Sequence, residues 1–131
     1  MPQENHTNRN HILIVEDDRE SCELLRHVLP EWELAISHTI AGAVSHYLER
    51  HFDLAMLDNW LPDGSGIDLC RDLRSRFPET PIIFMSAAAQ ESTIEEAIAA
   101  GANRYFVKPF DPEELRETVK DLLEQLSSES F

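Results

Sequence analysis

Residues 52–66 read FDLAMLDNWLPDGSG, an apolar run that ends on a carboxylate and leads into a turn rich in proline and glycine. The run from Leu54 to Leu57 contains no polar residue, which favours a strand buried on both faces of a parallel sheet. Asp58 then stands at the carboxyl end of that strand. Ligands of open parallel sheets bind in the crevice beyond the carboxyl ends of the strands, so Asp58 is a candidate site residue.

A second apolar run, HILIVEDD at residues 11–18, ends on carboxylates in the same way. Glu16, Asp17 and Asp58 should therefore converge at one edge of the sheet. Two carboxylates ~4 Å apart at an effective dielectric of ~20 repel each other by about 4 kcal/mol, so the cluster itself does not stabilise the fold. A divalent cation would relieve this repulsion, and three oxygen ligands plus water suit octahedral Mg²⁺. The sequence predicts a magnesium site.

Two further strand ends carry a hydroxyl and an ammonium group. The segment TPIIFMSAAA, residues 80–89, ends its apolar run on Ser86, and GANRYFVKPF, residues 101–110, ends on Lys108 followed by Pro109. Taken singly, residues of this kind are often a turn aspartate, a buried hydroxyl, a solvated lysine or a proline that stops a strand. Asp18 has a purely structural interpretation, as the N-cap of the following helix. Taken together, the other residues predict one pocket.

Composition indicates one domain and excludes some functions. The chain has 131 residues, 42% of them hydrophobic, which is enough to bury a core without disulfides. No apolar run approaches the ~20 residues of a membrane span, and no signal peptide is visible, so we expect a cytoplasmic protein. We expect a disordered tail at 1–9, a domain at 10–127, and a tail or linker start at 128–131. The net charge of −14 opposes direct nucleic-acid binding.

The cysteines and histidines do not indicate a metal or redox site. Cys22 and Cys70 lie in apolar helical stripes, so we expect buried, reduced thiols on opposite faces of the sheet. The six histidines have no ligand spacing; His46 and His51, for example, do not share a helix face.

The pocket residues resemble those of the receiver domain of two-component response regulators. The resemblance covers residues 11–126, and its motifs fall in the family's order and spacing. It implies a phosphoryl-accepting switch whose partner is a sensor histidine kinase or a phosphotransfer protein, with Mg²⁺ as the cofactor. Such a domain is not a conventional enzyme, because it accepts the phosphoryl group on itself and slowly loses it.

The resemblance also implies the role of each pocket residue. Asp58 is the expected phosphoryl acceptor. Asp17 is expected to bind Mg²⁺ directly and Glu16 through water, with the backbone carbonyl of Trp60 as a further ligand.

Four more roles follow from the same resemblance. Ser86 is expected to donate a hydrogen bond to a phosphoryl oxygen, and Lys108 to pair with another. Pro109 is expected to follow a cis peptide bond. Tyr105 is expected to act with Ser86 as a switch that changes the surface of the fourth helix, fifth strand and fifth helix.

The order of predicted elements is strand then helix, five times over. Predicted strands are 11–15, 34–37, 53–58, 81–86 and one ending at 108; predicted helices are 19–29, one through Val44, Tyr47 and Leu48, one from Leu69 to Phe77, 93–100, and one from 112. This alternation predicts an α/β fold, a flavodoxin-like (βα)5 doubly wound parallel sheet with strand order 2-1-3-4-5.

Capping patterns predict where the last two helices begin and end. Thr93 and Glu96 form a capping-box pattern, Gly101 is the expected C′ residue, and Asp111 and Pro112 are N-cap and N1 of the last helix. The residues predicted to face the core from the first and last helices are Leu24, Leu25, Val28, Leu29, Leu115, Val119, Leu122, Leu123 and Leu126.

The surface formed by the fourth helix, fifth strand and fifth helix (the output surface) departs from a sequence pattern that is common in the family. Asn103 and Arg104 stand where a large group of DNA-binding regulators carries two acidic residues that support dimerisation, so a homodimer stays open. The segment from Glu91 to Glu124 has nine acidic and four basic side chains, which would steer a basic downstream protein. The cognate kinase, the output and any effector domain are not identified by the sequence.

Three other functions are compatible with this fold class, and the sequence disfavours each of them. A pseudo-receiver would be a phosphorylation-independent binding module, but every pocket position keeps a competent side chain. A flavin binder would need a phosphate-binding loop where EDD stands, and an aspartate-based phosphatase would need a second aspartate where Asn59 and Trp60 follow Asp58.

Overall fold

The computed structural model describes residues 10–129, with side chains described as far as Gln125. Its elements, in chain order, are β1 (His11–Val15), α1 (Arg19–Val28), β2 (Glu33–Ser37), α2 (Ile40–Glu49), β3 (Leu54–Asp58), β4 (Trp60–Leu61), β5 (Gly64–Ser65), α3 (Gly66–Arg76), β6 (Ile82–Ser86), α4 (Glu91–Ala100), β7 (Arg104–Val107) and α5 (Pro112–Glu129). The predicted tail at 1–9, residues 130–131 and the Leu126 side chain lie outside the described residues, and α5 continues past residue 127.

Five parallel strands form one sheet in the order β2-β1-β3-β6-β7. The short strands β4 and β5 pair with each other as an antiparallel hairpin around the predicted turn rich in proline and glycine. The five long strands therefore have the predicted order 2-1-3-4-5, and the doubly wound α/β fold is confirmed. Their uninterrupted apolar runs follow from burial on both faces.

The register of the strands brings their carboxyl ends to one edge. The paired residues at this end are Val15 with Leu57, Asp58 with Met85, and Ser86 with Val107. The residues that end β3 and β6, and those that follow β1 and β7, therefore border one crevice, where open parallel sheets bind ligands.

Helices cover both faces of the sheet and give it two cores. Leu25 of α1 and its C-cap residue Leu29 pack with α5 on one face, while α2, α3 and α4 pack on the other. Cys22 of α1 and Cys70 of α3 are buried free thiols, and they lie on opposite faces as predicted. Burial raises the pKa of both thiols, that of Cys70 to about 11. Among the described residues, no helix is long and apolar enough to cross a membrane.

Several helices begin or end at the residues that were predicted to cap them. The Asp18 carboxylate accepts a hydrogen bond from the Ser21 N–H at 2.9 Å at the start of α1. The Asp111 carboxylate accepts one from the Glu113 N–H at 3.0 Å at the start of α5. Gly101 ends α4 with φ of 125°, a conformation that favours glycine.

Two predictions about the helices were wrong. α4 begins at Glu91, and its N-cap Gln90 makes no side-chain cap hydrogen bond, so Thr93 and Glu96 do not form a capping box. Leu24 is 43% exposed rather than inward-facing, whereas its neighbour Leu25 is buried. One residue along a helix turns the side chain by about 100°, so at this point of α1 Leu25 faces the core and Leu24 faces outward.

Candidate functional site

Three carboxylates meet at the carboxyl ends of β1 and β3. One oxygen from each of Glu16, Asp17 and Asp58 lies within 4.8 Å of the other two. Glu16 is fully buried, Asp58 is 7% exposed, and Asp17 is open to solvent. Glu16 and Asp17 directly follow β1, and Asp58 ends the neighbouring strand, so strand pairing alone brings these side chains together.

The ammonium group of Lys108 lies between two of these carboxylates. Its Nζ is 2.6 Å from Glu16 Oε1 and 3.3 Å from Asp58 Oδ2. The Lys108 backbone N–H donates to Ser86 O at 2.8 Å, and the peptide bond to Pro109 is cis. Burial alone would lower the pKa of Lys108, but the hydrogen bond with Glu16 and the charge of Asp58 outweigh burial and raise that pKa.

The Lys108 ammonium group does not fully compensate for the burial of the Glu16 carboxylate. Burial raises the pKa of Glu16 to about 6, and the neighbouring Asp58 adds to the rise. Lys108, and the Asp18 N–H that donates to Glu16 Oε2 at 3.1 Å, lower the pKa but do not cancel the rise. A divalent cation would supply the missing charge, and a set of three carboxylates fits a hard ion such as Mg²⁺.

The backbone after β3 fixes the Asp58 side chain. Asp58 Oδ1 accepts a hydrogen bond from the Asn59 N–H at 2.6 Å, and Oδ2 faces Lys108. Gly66 donates its N–H to Asn59 O at 2.8 Å. A Cβ on Gly66 would stand 1.9 Å from Asp58 O, so the start of α3 can approach this backbone only because residue 66 is glycine.

The β4–β5 hairpin carries an exposed tryptophan at the rim of the pocket. The side chain of Trp60 is 69% exposed. At the other end of the hairpin, the Asp63 carboxylate accepts hydrogen bonds from the N–H groups of Ile40 at 2.8 Å and Ala41 at 3.0 Å. These bonds lower the pKa of Asp63. They tie the hairpin to the start of α2, so Trp60 is exposed on an anchored loop.

Ser86 and Tyr105 are linked through one alanine. Ser86 is fully buried, and its Oγ accepts a hydrogen bond from the Ala88 N–H at 3.1 Å. The carbonyl of Ala88 accepts a hydrogen bond from the Tyr105 hydroxyl at 2.7 Å. The ring of Tyr105 stacks on Phe84, with centroids 5.5 Å apart and planes 15° apart. The loop after β6 is therefore held from both sides by the two residues predicted to form the switch.

The backbone of Glu16 is held by the loop after β2. The Glu16 N–H donates to Ser37 O at 2.9 Å. The Glu16 carbonyl lies 2.9 Å from Nδ1 of His38 and accepts from the Cys22 thiol at 3.5 Å.

The structure brings four of the predicted pocket residues together, and it adds three that sequence reasoning missed. The cluster consists of Glu16, Asp17, Asp58 and Lys108, and Ser86 ends β6 at the same edge. Trp60 follows β3 with an exposed side chain, and Tyr105 lies opposite Phe84, before the end of β7. The missed residues are His38, Asp63 and Gly66. Gly66 had a signal, since glycine is the residue expected where a backbone must approach another group closely. The sequence gives no signal for His38, because its contact with the Glu16 carbonyl depends on the pairing of β1 with β2.

Comparison with known proteins identifies the family. Residues 12–120 match the response regulator receiver domain family. The chain is 37% identical over 127 residues to the transcriptional regulatory protein ResD of Bacillus subtilis, covering 95% of this chain and 52% of ResD. It is 41% identical over 123 residues to the phosphate regulon transcriptional regulatory protein PhoB of Rhizobium meliloti, covering 90% of this chain and 54% of PhoB.

Structural comparison agrees with this match. The BeF3-activated DrrB receiver domain has a TM-score of 0.84 and 30% sequence identity, covering 88% of this chain and 98% of that chain. The chain belongs to the family of response regulator receiver domains, which confirms the resemblance seen in the sequence. It spans about half the length of the curated relatives ResD and PhoB.

Proposed function

We propose that this chain is a phosphoryl-accepting switch of a two-component or phosphorelay system, with Asp58 as the acceptor. The observation that carries the proposal is the setting of Asp58, which shares a cluster of three carboxylates and lies 3.3 Å from the Lys108 ammonium group. Phosphoryl transfer depends mainly on positioning and on neutralising charge at the phosphoryl oxygens. An aspartate between a cation-binding cluster and a lysine meets both needs.

Mg²⁺ is the proposed cofactor. Asp17 and Asp58 would hold it directly, Glu16 would hold it through water, and the Trp60 carbonyl would be a further ligand. When bound, the ion supplies positive charge to the oxygens of the phosphoryl group. Without that charge, an incoming dianionic donor would meet three carboxylates and Lys108 alone.

The proposed transfer takes the phosphoryl group from a phosphohistidine of a sensor kinase or phosphotransfer protein. A carboxylate oxygen of Asp58 attacks the phosphorus, and an O–P bond forms as the P–N bond breaks. The electron pair of the broken bond returns to the imidazole nitrogen of the donor. The product is an acyl phosphate on Asp58, with Lys108 paired to one phosphoryl oxygen and the Ser86 hydroxyl donating to another.

The contacts of Ala88 support a route by which the signal leaves the pocket. The Ser86 Oγ now accepts from the Ala88 N–H at 3.1 Å, and we propose that rotation of Ser86 toward a phosphoryl oxygen lengthens or breaks this bond. The loop after β6 would then lose its hydrogen bond to Ser86 and keep the one from the Tyr105 hydroxyl to the Ala88 carbonyl. A shift of that loop would let Tyr105 repack, and it would change the surface formed by α4, β7 and α5 through differential contacts in the two states.

Loss of the phosphoryl group is proposed to be slow, and the chain is not proposed to be a conventional enzyme. In receivers, the residues two beyond the acceptor and two beyond the hydroxyl flank the path of the attacking water. Here they are Trp60 and Ala88, and neither side chain can orient a water molecule well. None of the described pocket residues specifically favours the alternative of a pseudo-receiver.

The proposed partners are a protein phosphodonor and, at the α4–β7–α5 surface, a downstream protein. The printed names of ResD and PhoB describe transcriptional regulation. For this chain we propose no direct DNA binding, because its net charge of −14 opposes contact with phosphates. We place the chain in the cytoplasm, where receiver domains usually act, and a homodimer is not required.

Incubation with Mg²⁺ and acetyl phosphate tests the proposal. We expect the intact mass to show one added phosphoryl group in the wild type and in Asp68→Asn, a control at an exposed aspartate of α3. We expect none in Asp58→Asn, and none in the wild type with excess EDTA. Uptake that persists in Asp58→Asn, or that ignores EDTA, contradicts the assignment.

A further inference from the structure

The imidazole of His38 joins two loops at the edge of the sheet that carries the pocket. His38 lies in the loop between β2 and α2, and its Nδ1 is 2.9 Å from the backbone oxygen of Glu16. A carbonyl oxygen can only accept a hydrogen bond, so Nδ1 must carry the proton. The geometry therefore fixes the role of His38 as a donor to the backbone of the acid pocket.

The carbonyl that His38 contacts belongs to the peptide unit joining Glu16 to Asp17. Rotation of that peptide would change the directions of both side chains relative to Asp58. The Cys22 thiol also donates to this oxygen, at 3.5 Å, but a thiol is a weak donor. His38 is thus the stronger of the two side-chain donors that hold the peptide.

The loop itself does not depend on His38 for its fold. Thr39 is the N-cap of α2, and its Oγ1 accepts from the Gly42 N–H at 3.0 Å. The Asp63 carboxylate binds the next two N–H groups of that helix. These contacts fix the start of α2 independently, so the bond from His38 to Glu16 has its main effect on the pocket.

We propose that His38 is a positioning residue for the divalent-cation site, which holds the Glu16–Asp17 peptide so that its carboxylates face Asp58. The inference rests on the proposed function, since it concerns the same cation. Groups that orient ligands by hydrogen bonds contribute to metal affinity, although they do not touch the metal. One hydrogen bond of ordinary net strength corresponds to a change in affinity of roughly 2- to 10-fold.

Calorimetric titration with Mg²⁺ tests this role in four proteins: wild type, His38→Leu, His38→Asn and His27→Leu. Leucine removes the donor, whereas the Asn amide nitrogen can stand where Nδ1 stands and can still donate. His27 is an exposed histidine in the last turn of α1, at the end remote from Asp18. We expect His38→Leu to weaken Mg²⁺ binding by roughly 2- to 10-fold, and His38→Asn and His27→Leu to bind like the wild type.

A second measurement separates positioning from general stability. Urea unfolding in EDTA should show both variants folded, because the loop is held by Thr39 and Asp63, with the midpoint of His38→Leu lower only by the loss of one hydrogen bond. Wild-type affinity in His38→Leu, or an equal loss in the leucine and asparagine variants, would overturn the role of His38 while leaving the proposed function intact. A wild type that takes up no Mg²⁺ would overturn both.

Discussion

Glu16 shows how each pocket side chain depends on its neighbours. It is fully buried, and the Lys108 ammonium group lies 2.6 Å from its carboxylate. Removing one partner of a buried ion pair typically costs about 3–5 kcal/mol, because the other charge is left uncompensated. Lys108 therefore has a structural role in addition to its proposed chemical one. Substitutions of Lys108 are a poor test of chemistry alone.

Gly66 offers a cleaner test of how backbone packing positions the acceptor. A Cβ at residue 66 would meet the backbone oxygen of Asp58, which cannot rotate away. We expect Gly66→Ala to lower the free energy of unfolding by about 1–3 kcal/mol, as overpacking does, and to slow phosphoryl uptake from acetyl phosphate. Urea unfolding and the rate of mass gain measure the two effects.

Gly42→Ala is the matched control for that substitution. A Cβ at residue 42 would meet mainly the hydroxyl of Ser37, a side-chain atom that can turn aside. Alanine is also the better residue inside a helix, by about 0.5–1 kcal/mol. We expect Gly42→Ala to cost less stability and to leave uptake unchanged. Equal behaviour of the two variants would show that Gly66 does not position Asp58.

At this scale, the acidic residues were predictable and the groups that orient them were not. Asp58 and Glu16 follow apolar strands, so their convergence needed only the rule that parallel strands share an edge. The bond from His38 to the Glu16 backbone needed the register of β1 with β2. Predicting the hydrogen bonds from α2 to Asp63 required the path of the β4–β5 hairpin. Neither the register nor the path of the hairpin can be predicted from a short stretch of sequence.

At the scale of elements, one arginine joins the ends of α3 and α4. The Arg74 guanidinium donates to Gly101 O at 2.8 and 3.2 Å and to Asn103 Oδ1 at 2.9 Å. The same Asn103 oxygen accepts from the Ile82 N–H at 2.8 Å, at the start of β6. The further acceptors of Arg74 are the carbonyls of Phe77, Pro78 and Thr80. Asn103, first noted as a departure at the output surface, therefore has a structural role.

Replacing Arg74 tests that junction. Arg74→Leu leaves carbonyl groups at the ends of two helices without their donor. We expect it to lower the free energy of unfolding by about 2–3 kcal/mol, given the cost of lost hydrogen bonds to charged groups. Arg71→Leu, one turn earlier on α3, breaks only an exposed pair with Asp68 and should cost at most about 0.5 kcal/mol. Equal losses in urea unfolding would mean that the junction adds no stability.

The switch proposed for Tyr105 can be followed against an internal reference. The chain has two tyrosines. Tyr105 bonds the Ala88 carbonyl, whereas Tyr47 is 4% exposed between α2 and α3 and bonds Asp72. On adding beryllofluoride and Mg²⁺ to tyrosine-labelled protein, we expect the NMR signal of Tyr105 to shift and that of Tyr47 to stay.

Phosphorylation acts through Tyr105 only if that shift depends on the Ser86 hydroxyl. In Ser86→Ala, which cannot donate to the phosphoryl mimic, the shift should be lost or much reduced. An unchanged Tyr105 signal in the wild type, under conditions where beryllofluoride binds, would place the switch elsewhere.

The elements themselves were predictable to different degrees. The five strands were found because buried parallel strands are continuous apolar runs, and α5 was found because Asp111 and Pro112 mark its start. The start of α4 was misplaced because Gln90, its N-cap, makes no side-chain cap bond that the sequence could display. Leu24 was assigned to the core because periodicity alone does not separate two adjacent leucines.

At the scale of the whole molecule, charge and length shape what the chain can do. A net charge of −14 keeps phosphate-bearing polymers away and favours basic protein surfaces. The chain aligns with 52% of ResD and 54% of PhoB. Under the proposed function, this chain receives the phosphoryl signal, and a protein partner or a further domain would carry the output.

Chemical mapping of the phosphorylated residue tests whether Asp58 is the acceptor. Protein phosphorylated with acetyl phosphate and Mg²⁺ is reduced with borohydride, which converts an aspartyl phosphate to homoserine, and is then digested and sequenced by mass spectrometry. We expect homoserine at position 58 and nowhere else. Homoserine at another aspartate such as Asp17, or a stable phosphoryl group on a hydroxyl or imidazole side chain, would contradict it.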